Sequence, residues 1–243
     1  SRNRSMGARL FTTVMTGIMI LSLTACGTQD AIVSEQEQSA DSNIGTTGSL
    51  AQDTRALQII DDNYRTYYEL FVYSFYDSDG DGIGDLRGVL DKLDYLNDGD
   101  DSTDTDLGVN GIWLMPVMPS TTYHKYDTTD YENIDPQYGT LEDFQELLNA
   151  CHDRGIRVIL DLAMNHSSSR HPWFLQATEY LKSLPEGAEP DATECPYVDY
   201  YHFSGEAPSG YAQVNGTEWY YEARFWDGMP DLNLQSEAVR HEF

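Results

Sequence analysis

Residues 157–168 read RVILDLAMNHSS, and the rest of the chain can be placed around this stretch. Its first part, 158–160, is a short apolar run, as expected of a parallel strand that is buried on both faces. The second part changes abruptly to Asp161, Asn165 and His166. A buried parallel strand that ends in a carboxylate, an amide and an imidazole brings polar groups to one site. The alternative is that these groups only satisfy backbone donors at the strand end.

Apolar runs and helical patterns alternate before this stretch in the order β-α-β-α-β. The predicted elements are strand 68–76, helix 86–96, strand 111–116, helix 141–154 and strand 157–162. Such alternation favours a parallel sheet with helices packed outside it. The apolar side chains that predict one face of the second helix are Leu141, Phe144, Leu147, Leu148 and Cys151. Residues 167–226 are too long for a simple connection, so we predict a small domain inserted over the strand ends.

The chain of 243 residues carries 14 basic and 41 acidic side chains, which gives a net charge of −27. This charge argues against nucleic acid or anionic lipid as a partner. It suits an extracellular protein or one that holds cations, although solubility alone explains most of the excess. Besides Cys26, the chain has only Cys151 and Cys195. A disulfide between them is possible, but we favour two unpaired thiols because a large core does not need a cross-link.

The first 25 residues are typical of a secretory leader. Arg2, Arg4 and Arg9 precede a short apolar run, 10–25, which ends in Leu-Thr-Ala-Cys at Cys26. This end resembles the lipobox of bacterial lipoproteins. The resemblance implies cleavage before Cys26, a lipid on its sulfur and an extracytoplasmic protein anchored to the bacterial membrane. An uncleaved or differently cleaved leader is the alternative. Residues 26–60 are polar and predict a disordered tether.

An acidic loop follows the first predicted strand directly. It places Asp77, Asp79, Asp81 and Asp85 at alternate positions with glycines between them, and the carbonyl of Ile83 is a further oxygen donor. Calcium prefers several hard oxygen ligands, so we predict a structural calcium site at this strand-to-helix turn. The loop begins like an EF-hand, but its twelfth place is Gly88 where a glutamate should stand. A solvated acidic turn is the alternative.

The sequence Tyr-His-Lys-Tyr-Asp at 123–127 lies after the second strand and faces the same sheet edge as Asp161 and His166. Aromatic rings can stack on sugars, and carboxylates or imidazoles can fix sugar hydroxyl groups. We therefore single out Tyr126 and His124 as candidate sugar-binding residues. The alternative for a loop tyrosine is partial burial as a packing residue.

Four motifs in order resemble the α-amylase family, family 13 of the glycoside hydrolases. They lie within residues 64–243 and read GIWLMP at 111–116, HKYD with IDPQYGT at 124–127 and 134–140, DLAMNH at 161–166 and MPDLN at 229–233. The form of the last motif resembles the group intermediate between oligo-1,6-glucosidases and neopullulanases. The resemblance implies an α/β fold, the N-terminal part of a (β/α)8 TIM barrel with a domain B inserted after the third strand. It assigns 61–166 to the first three barrel units, 167–230 to domain B and 231–243 to the return towards the barrel.

The resemblance also implies roles for individual residues. Tyr126 would form the stacking platform under the sugar at the scissile bond, His166 would donate to a hydroxyl of that sugar, and Asp161 would orient an arginine from the next strand. Asn165 would be a ligand of a second calcium ion. The loop of Asp77, Asp79, Asp81, Ile83 and Asp85 would be the calcium loop of the oligo-1,6-glucosidase-like branch.

The family cleaves α-glucosidic bonds by a retaining mechanism that uses two carboxyl groups about 5 Å apart. We expect the nucleophile, the acid/base and a stabilising aspartate downstream of Phe243, so this chain would contain no catalytic residue. Its barrel would be incomplete, and alone it would be inactive. We expect a monomer that acts on starch-like glucans or maltooligosaccharides. The alternatives are a non-catalytic glucan-binding lipoprotein and a transglycosylase.

Overall fold

The structure is a computed structural model that describes residues 64–243. The predicted leader, the tether and Cys26 lie outside the described residues. The elements, in chain order, are β1 Tyr67–Leu70, α1 Val72–Phe75, α2 Leu86–Asp91, α3 Leu93–Leu96, β2 Gly111–Leu114, α4 Leu141–Asp153, β3 Arg157–Leu160, α5 Pro172–Ser183, a 3-10 helix Pro196–Asp199, β4 Phe203–Ser204, β5 Tyr211–Gln213, β6 Tyr220–Glu222 and α6 Glu237–His241.

The strands β1, β2 and β3 form a parallel sheet in that order, which confirms the predicted arrangement. Gly111 is paired with Tyr67 on one side and with Arg157 on the other. All three strands therefore end at the same sheet edge. The sheet is the first part of the predicted barrel, and the barrel is not closed within residues 64–243.

The main apolar core lies between this sheet and helices α2 to α4. Helix α4 begins with a capping box in which Thr140 and Asp143 satisfy each other's backbone amides, and it buries Leu147 and Cys151. Leu141 was predicted on this buried face, but it is exposed because it is the first residue of the helix. The other buried members of the core are Leu70, Val72, Leu86, Val89, Leu93, Leu96, Val109, Ile112, Leu114, Val117, Met118, Ile134, Tyr138 and Ile156.

Four predicted elements differ appreciably from the structure. The first strand ends at Leu70 instead of continuing to Tyr76, because the chain turns into the one-turn helix α1. The helix predicted for 86–96 is interrupted at Lys92, whose amide donates to both the Gly88 and Val89 carbonyls. The second strand ends at Leu114 and the third at Leu160, each two residues earlier than predicted.

The third strand was also predicted to be buried on both faces, and this is wrong for the described residues. Ile159 is 46% exposed because one face of the sheet is uncovered. Leu160 points to the opposite face and is 36% exposed at the free edge of β3. Trp113 on β2 is exposed as well, at 41%.

A second apolar core lies in the segment that follows β3. Helix α5 packs with the antiparallel sheet β4-β6-β5, and most of the buried residues are aromatic. Its buried members are Phe174, Leu181, Tyr200, Tyr201, Val214, Trp219, Tyr221, Leu232 and Val239. The segment thus has a core of its own, as an inserted domain requires.

Both cysteines of the described region are free and buried, which confirms the prediction of unpaired thiols. Burial raises the pKa of the Cys151 thiol to about 12, so it stays protonated. Between residues 64 and 243, the structure has no helix with the length and apolar character needed to span a membrane.

Candidate active site

Two segments that follow parallel strands meet at the carboxyl edge of the sheet. Tyr126 lies after β2 and Asp161 directly after β3, and the Tyr126 hydroxyl donates to Asp161 Oδ2 at 2.7 Å. His166 Nε2 lies 3.1 Å from the carbonyl oxygen of Tyr126. The hydroxyl and the carbonyl of Tyr126 are therefore both held by groups from the end of β3. Three residues predicted for the substrate site lie together here.

The two partners of His166 determine which ring nitrogen carries the proton. A carbonyl oxygen only accepts, so Nε2 donates to Tyr126, while Nδ1 lies 3.2 Å from the amide nitrogen of Asn165, which can donate to it. Burial lowers the pKa of His166 below its ordinary value, so the ring is neutral at pH 7. In this arrangement His166 fixes the backbone of Tyr126. If His166 also donates to a sugar hydroxyl, as predicted, its Nε2–H group is shared between that hydroxyl and the Tyr126 carbonyl.

The fourth predicted sugar-binding residue, His124, lies beside Tyr126. Its ring centroid is 6.0 Å from that of Tyr126, and its Nδ1 accepts a hydrogen bond from the Tyr126 amide at 3.2 Å. The ring of Tyr123, which is 63% exposed, lies 5.3 Å from His124 on the outer side. The loop thus presents a continuous row of rings.

Lys125 lies between His124 and Tyr126 in the sequence, and its side chain points into the interior of the protein. It is fully buried, and its Nζ lies 2.6 Å from Asp135 and 2.9 Å from Gln137, above the ring of Tyr138. Its φ of 61° is positive, a conformation uncommon for a residue other than glycine. The buried ion pair therefore fixes a left-handed turn from which His124 and Tyr126 project together.

Asp127 anchors the same loop from inside. This fully buried carboxylate accepts hydrogen bonds from the hydroxyls of Ser120, Thr121 and Thr122. Burial alone would raise the pKa of Asp127, but these bonds outweigh it and the pKa lies below its ordinary value. The sequence pattern did not identify Asp127 or Lys125 as supporting residues, because neither one contacts the candidate sugar site directly.

The MPDLN motif joins the end of the insertion to the end of β3. Asn165 donates to Asp231 at 2.9 Å, and the Ser167 amide donates to the Pro230 carbonyl at 3.1 Å. This pairing places Phe225 against His166, with ring centroids 5.1 Å apart, while Phe225 remains 69% exposed. Phe225 was missed by sequence reasoning, since only the returning chain brings it to the site.

The acidic loop forms a separate cluster. Carboxylate oxygens of Asp77, Asp79 and Asp85 lie within 4.8 Å of one another. Asp85 also caps α2 by accepting from the Gly88 amide at 2.6 Å. The predicted ligand Asp81 lies outside this group, and its carboxylate accepts a hydrogen bond from the Ile83 amide at 2.8 Å. Carboxylate oxygens are the ligand type that calcium prefers, and these three residues would supply part of its shell of about six to eight oxygen atoms.

The family described as Alpha amylase, catalytic domain, matches residues 69–243. The chain belongs to this family.

Relatives in the α-amylase family match most of this chain. Alpha-amylase 3 of Dictyoglomus thermophilum is 45% identical over 72% of this chain and 32% of its own length. Oligo-1,6-glucosidase of Heyndrickxia coagulans is 37% identical over 72% of this chain and 31% of its own. The solved structure of Eubacterium rectale Amy13B is 62% identical with a TM-score of 0.71, covering 77% of this chain and 35% of that one. The chain spans about a third of the length of these α-amylase-family relatives.

The buried ion pair next to Tyr126 gives a prediction about stability. Lys125→Met in the full-length protein leaves the Asp135 carboxylate buried without its cation, and we expect a loss of about 3–5 kcal/mol in the free energy of unfolding. Lys125→Met combined with Asp135→Leu should recover part of this loss, with a coupling energy of about 1–3 kcal/mol in urea titrations.

The matched control is Arg87→Met, because Arg87 is 48% exposed in its pair with Asp143. It should cost no more than about 1 kcal/mol. Equal midpoints for Lys125→Met and Arg87→Met would contradict the role given to Lys125.

Proposed function

We propose that residues 64–243 form the sugar-binding part of a glycoside hydrolase that cleaves α-glucosidic bonds of starch-like glucans by a retaining mechanism. The observation that carries the proposal is the contact of Tyr126 with Asp161 and His166 at one sheet edge. Membership of the α-amylase family gives this contact its chemical meaning.

In this proposal the ring of Tyr126 is the platform under a glucose unit. Burial, and to a smaller extent the hydrogen bond to Asp161, raises the pKa of Tyr126 to about 12. The hydroxyl therefore keeps its proton and continues to donate. A ring fixed at its hydroxyl and at its carbonyl does not need to be ordered when the sugar binds, which lowers the entropic cost of binding. His124 and Phe225 border the platform and would contact the same sugar or its neighbour.

We propose that further strands of the same polypeptide cover the open face of the sheet. Trp113 and Ile159 are paired neighbours on β2 and β3, apolar and exposed on the same face, and Leu160 is exposed at the free edge of β3. A closed barrel buries such residues. The two catalytic carboxyl groups would come from those strands. Without them, the same platform would serve the alternative, a non-catalytic glucan-binding lipoprotein.

We further propose that Asp77, Asp79 and Asp85 hold a calcium ion, with Asp81 and the carbonyl of Ile83 as additional donors. The convergence of three carboxylates supports this. When bound, the ion would neutralise their mutual repulsion and fix the turn between β1 and α2. The side chain of Asn165 donates a hydrogen bond to Asp231. Its role as a ligand of a second calcium ion stays a prediction.

We also propose that Cys26 carries a lipid that anchors the protein outside the cytoplasm. The support is the sequence alone: a basic start, an apolar run and Leu-Thr-Ala before Cys26.

The activity can be tested on the protein expressed with its complete catalytic domain. We expect reducing sugars to be released from soluble starch and maltoheptaose. Tyr126→Phe removes the bond to Asp161 and should lower kcat/KM about tenfold, whereas Tyr126→Ala removes the platform and should lower it roughly a hundredfold. Tyr95→Ala, a change at an exposed tyrosine of α3, is the matched control.

A folded protein that binds maltoheptaose but releases no sugar would contradict the hydrolase and support the binding protein. Products longer than the substrate would indicate the transglycosylase.

The calcium site can be tested by removing the metal. Chelation should lower the thermal midpoint and added calcium should restore it, because a ligand at 100 times its Kd stabilises by about 2.7 kcal/mol. Asp79→Asn should abolish the calcium-dependent shift because it removes one of the three converging charges. The variant should still fold, since within residues 64–243 the Asp79 side chain accepts a single hydrogen bond, from the Asp81 amide. Asp100→Asn, in an exposed acidic loop away from the cluster, should keep the shift. An unchanged shift in Asp79→Asn would rule out the site.

The anchor can be tested in a bacterial host fed a labelled fatty acid. The unaltered protein should carry the label and sediment with membranes. Cys26→Ser should lose both properties, and a Cys26→Ser protein that still carries the label would refute lipidation at this residue.

A further inference from the structure

A cavity of about 560 Å³ lies within the insertion, apart from Tyr126. Helix α5, strand β5 and the segment 226–228 line it. This volume is within the range of about 300–1,000 Å³ that is usual for small-molecule sites. The hydrogen bonds described above for Tyr126, Asp161 and His166 do not involve the residues that line it.

One wall of the cavity is an aromatic platform. Trp226 is 46% exposed, and its ring lies against the backbone of Gly228. A Cβ atom at Gly228 would be only 2.0 Å from the ring, so glycine is required for the ring to lie in this position. A tryptophan held against the backbone with an open side suits stacking on an apolar sugar face.

Polar side chains with unused hydrogen-bonding capacity surround this platform. Within residues 64–243, the side chains of Arg170 and Asn215 make no hydrogen bond or ion pair with other described groups. Gln213 donates to the Thr217 carbonyl, which leaves its own amide oxygen as an acceptor. Asp227 lines the same cavity. Donors and acceptors that line a cavity beside an indole ring are what a polyhydroxylated ligand requires. Two cationic side chains, Arg170 and Lys182, line the cavity together with Asp227, so the binding test includes an inorganic anion as a competitor.

Two residues that line the cavity are next to, or hydrogen-bonded to, residues of the candidate active-site region. Trp226 follows Phe225, whose ring contacts His166, and Thr121 both lines the cavity and donates to Asp127. The simplest ligand for the cavity is therefore a segment of the same glucan that the active site binds.

We propose that this cavity is a second α-glucan-binding site, with Trp226 as its stacking platform and Arg170, Gln213 and Asn215 as hydroxyl partners. The proposal rests on the proposed function for the class of ligand, but it does not require catalysis.

Binding of maltoheptaose to the full-length protein can be measured by calorimetry in a Tyr126→Ala background, which removes the first platform. We expect binding to persist. Adding Trp226→Ala should weaken it by at least about tenfold, as expected when an aromatic anchor is truncated. Gly228→Ala should have a similar effect by displacing the ring, and Tyr95→Ala should have none. Thermal midpoints will show which variants fold.

Several outcomes would overturn the second site. These are loss of all maltoheptaose binding in Tyr126→Ala alone, equal affinity after Trp226→Ala, or equal affinity for cellohexaose. Binding of inorganic phosphate that competes with maltoheptaose would identify an anion site instead. Failure of starch hydrolysis would contradict the proposed function but leave this binding measurement valid, so the two failures are distinguishable.

Discussion

The insertion leaves the sheet and returns to it at one point, and backbone hydrogen bonds close it there. The Ser169 amide donates to the Gly228 carbonyl at 2.8 Å, and the Leu232 amide donates to the Asn165 carbonyl at 2.9 Å. The cost of closing a long loop grows only slowly with its length, so a few such bonds can hold a large insertion. Because its two ends are fixed together, the aromatic core inside it does not have to pack on the sheet to position Phe225 and Asp231.

The loop after β2 is also held in place by a small number of interactions, and its interior is polar. Lys125 and Asp127 are fully buried charged groups, and each is satisfied: the first by Asp135 and Gln137, the second by three hydroxyls. Buried charged groups that are held by several partners are rigid, because an alternative arrangement leaves a charge unpaired. A rigid polar interior is a suitable support for rings that must be in place before a sugar arrives.

The order of the strands and the identity of the polar strand ends could be predicted from the sequence, because apolar runs and their abrupt ends are local signals. The end of β1 could not. Its aromatic residues continue past Leu70, and propensity does not distinguish a longer strand from the one-turn helix α1, where the Ser74 amide donates to the Phe71 carbonyl. The place of Phe225 beside His166 and the positive φ of Lys125 could not be predicted from the sequence either, since both depend on contacts between separate segments.

The acidic composition itself was a poor guide to metal binding, and the structure explains why. Many aspartates use their carboxylates to accept backbone amides two residues ahead, as Asp98, Asp100 and Asp191 do. Such turns account for aspartates in loops without any cation. Asp77 makes comparable bonds to the amides of Gly80 and Gly82, yet it also lies within reach of Asp79 and Asp85. Convergence of carboxylates from different turns, rather than their number, therefore separates a candidate calcium site from a solvated acidic surface.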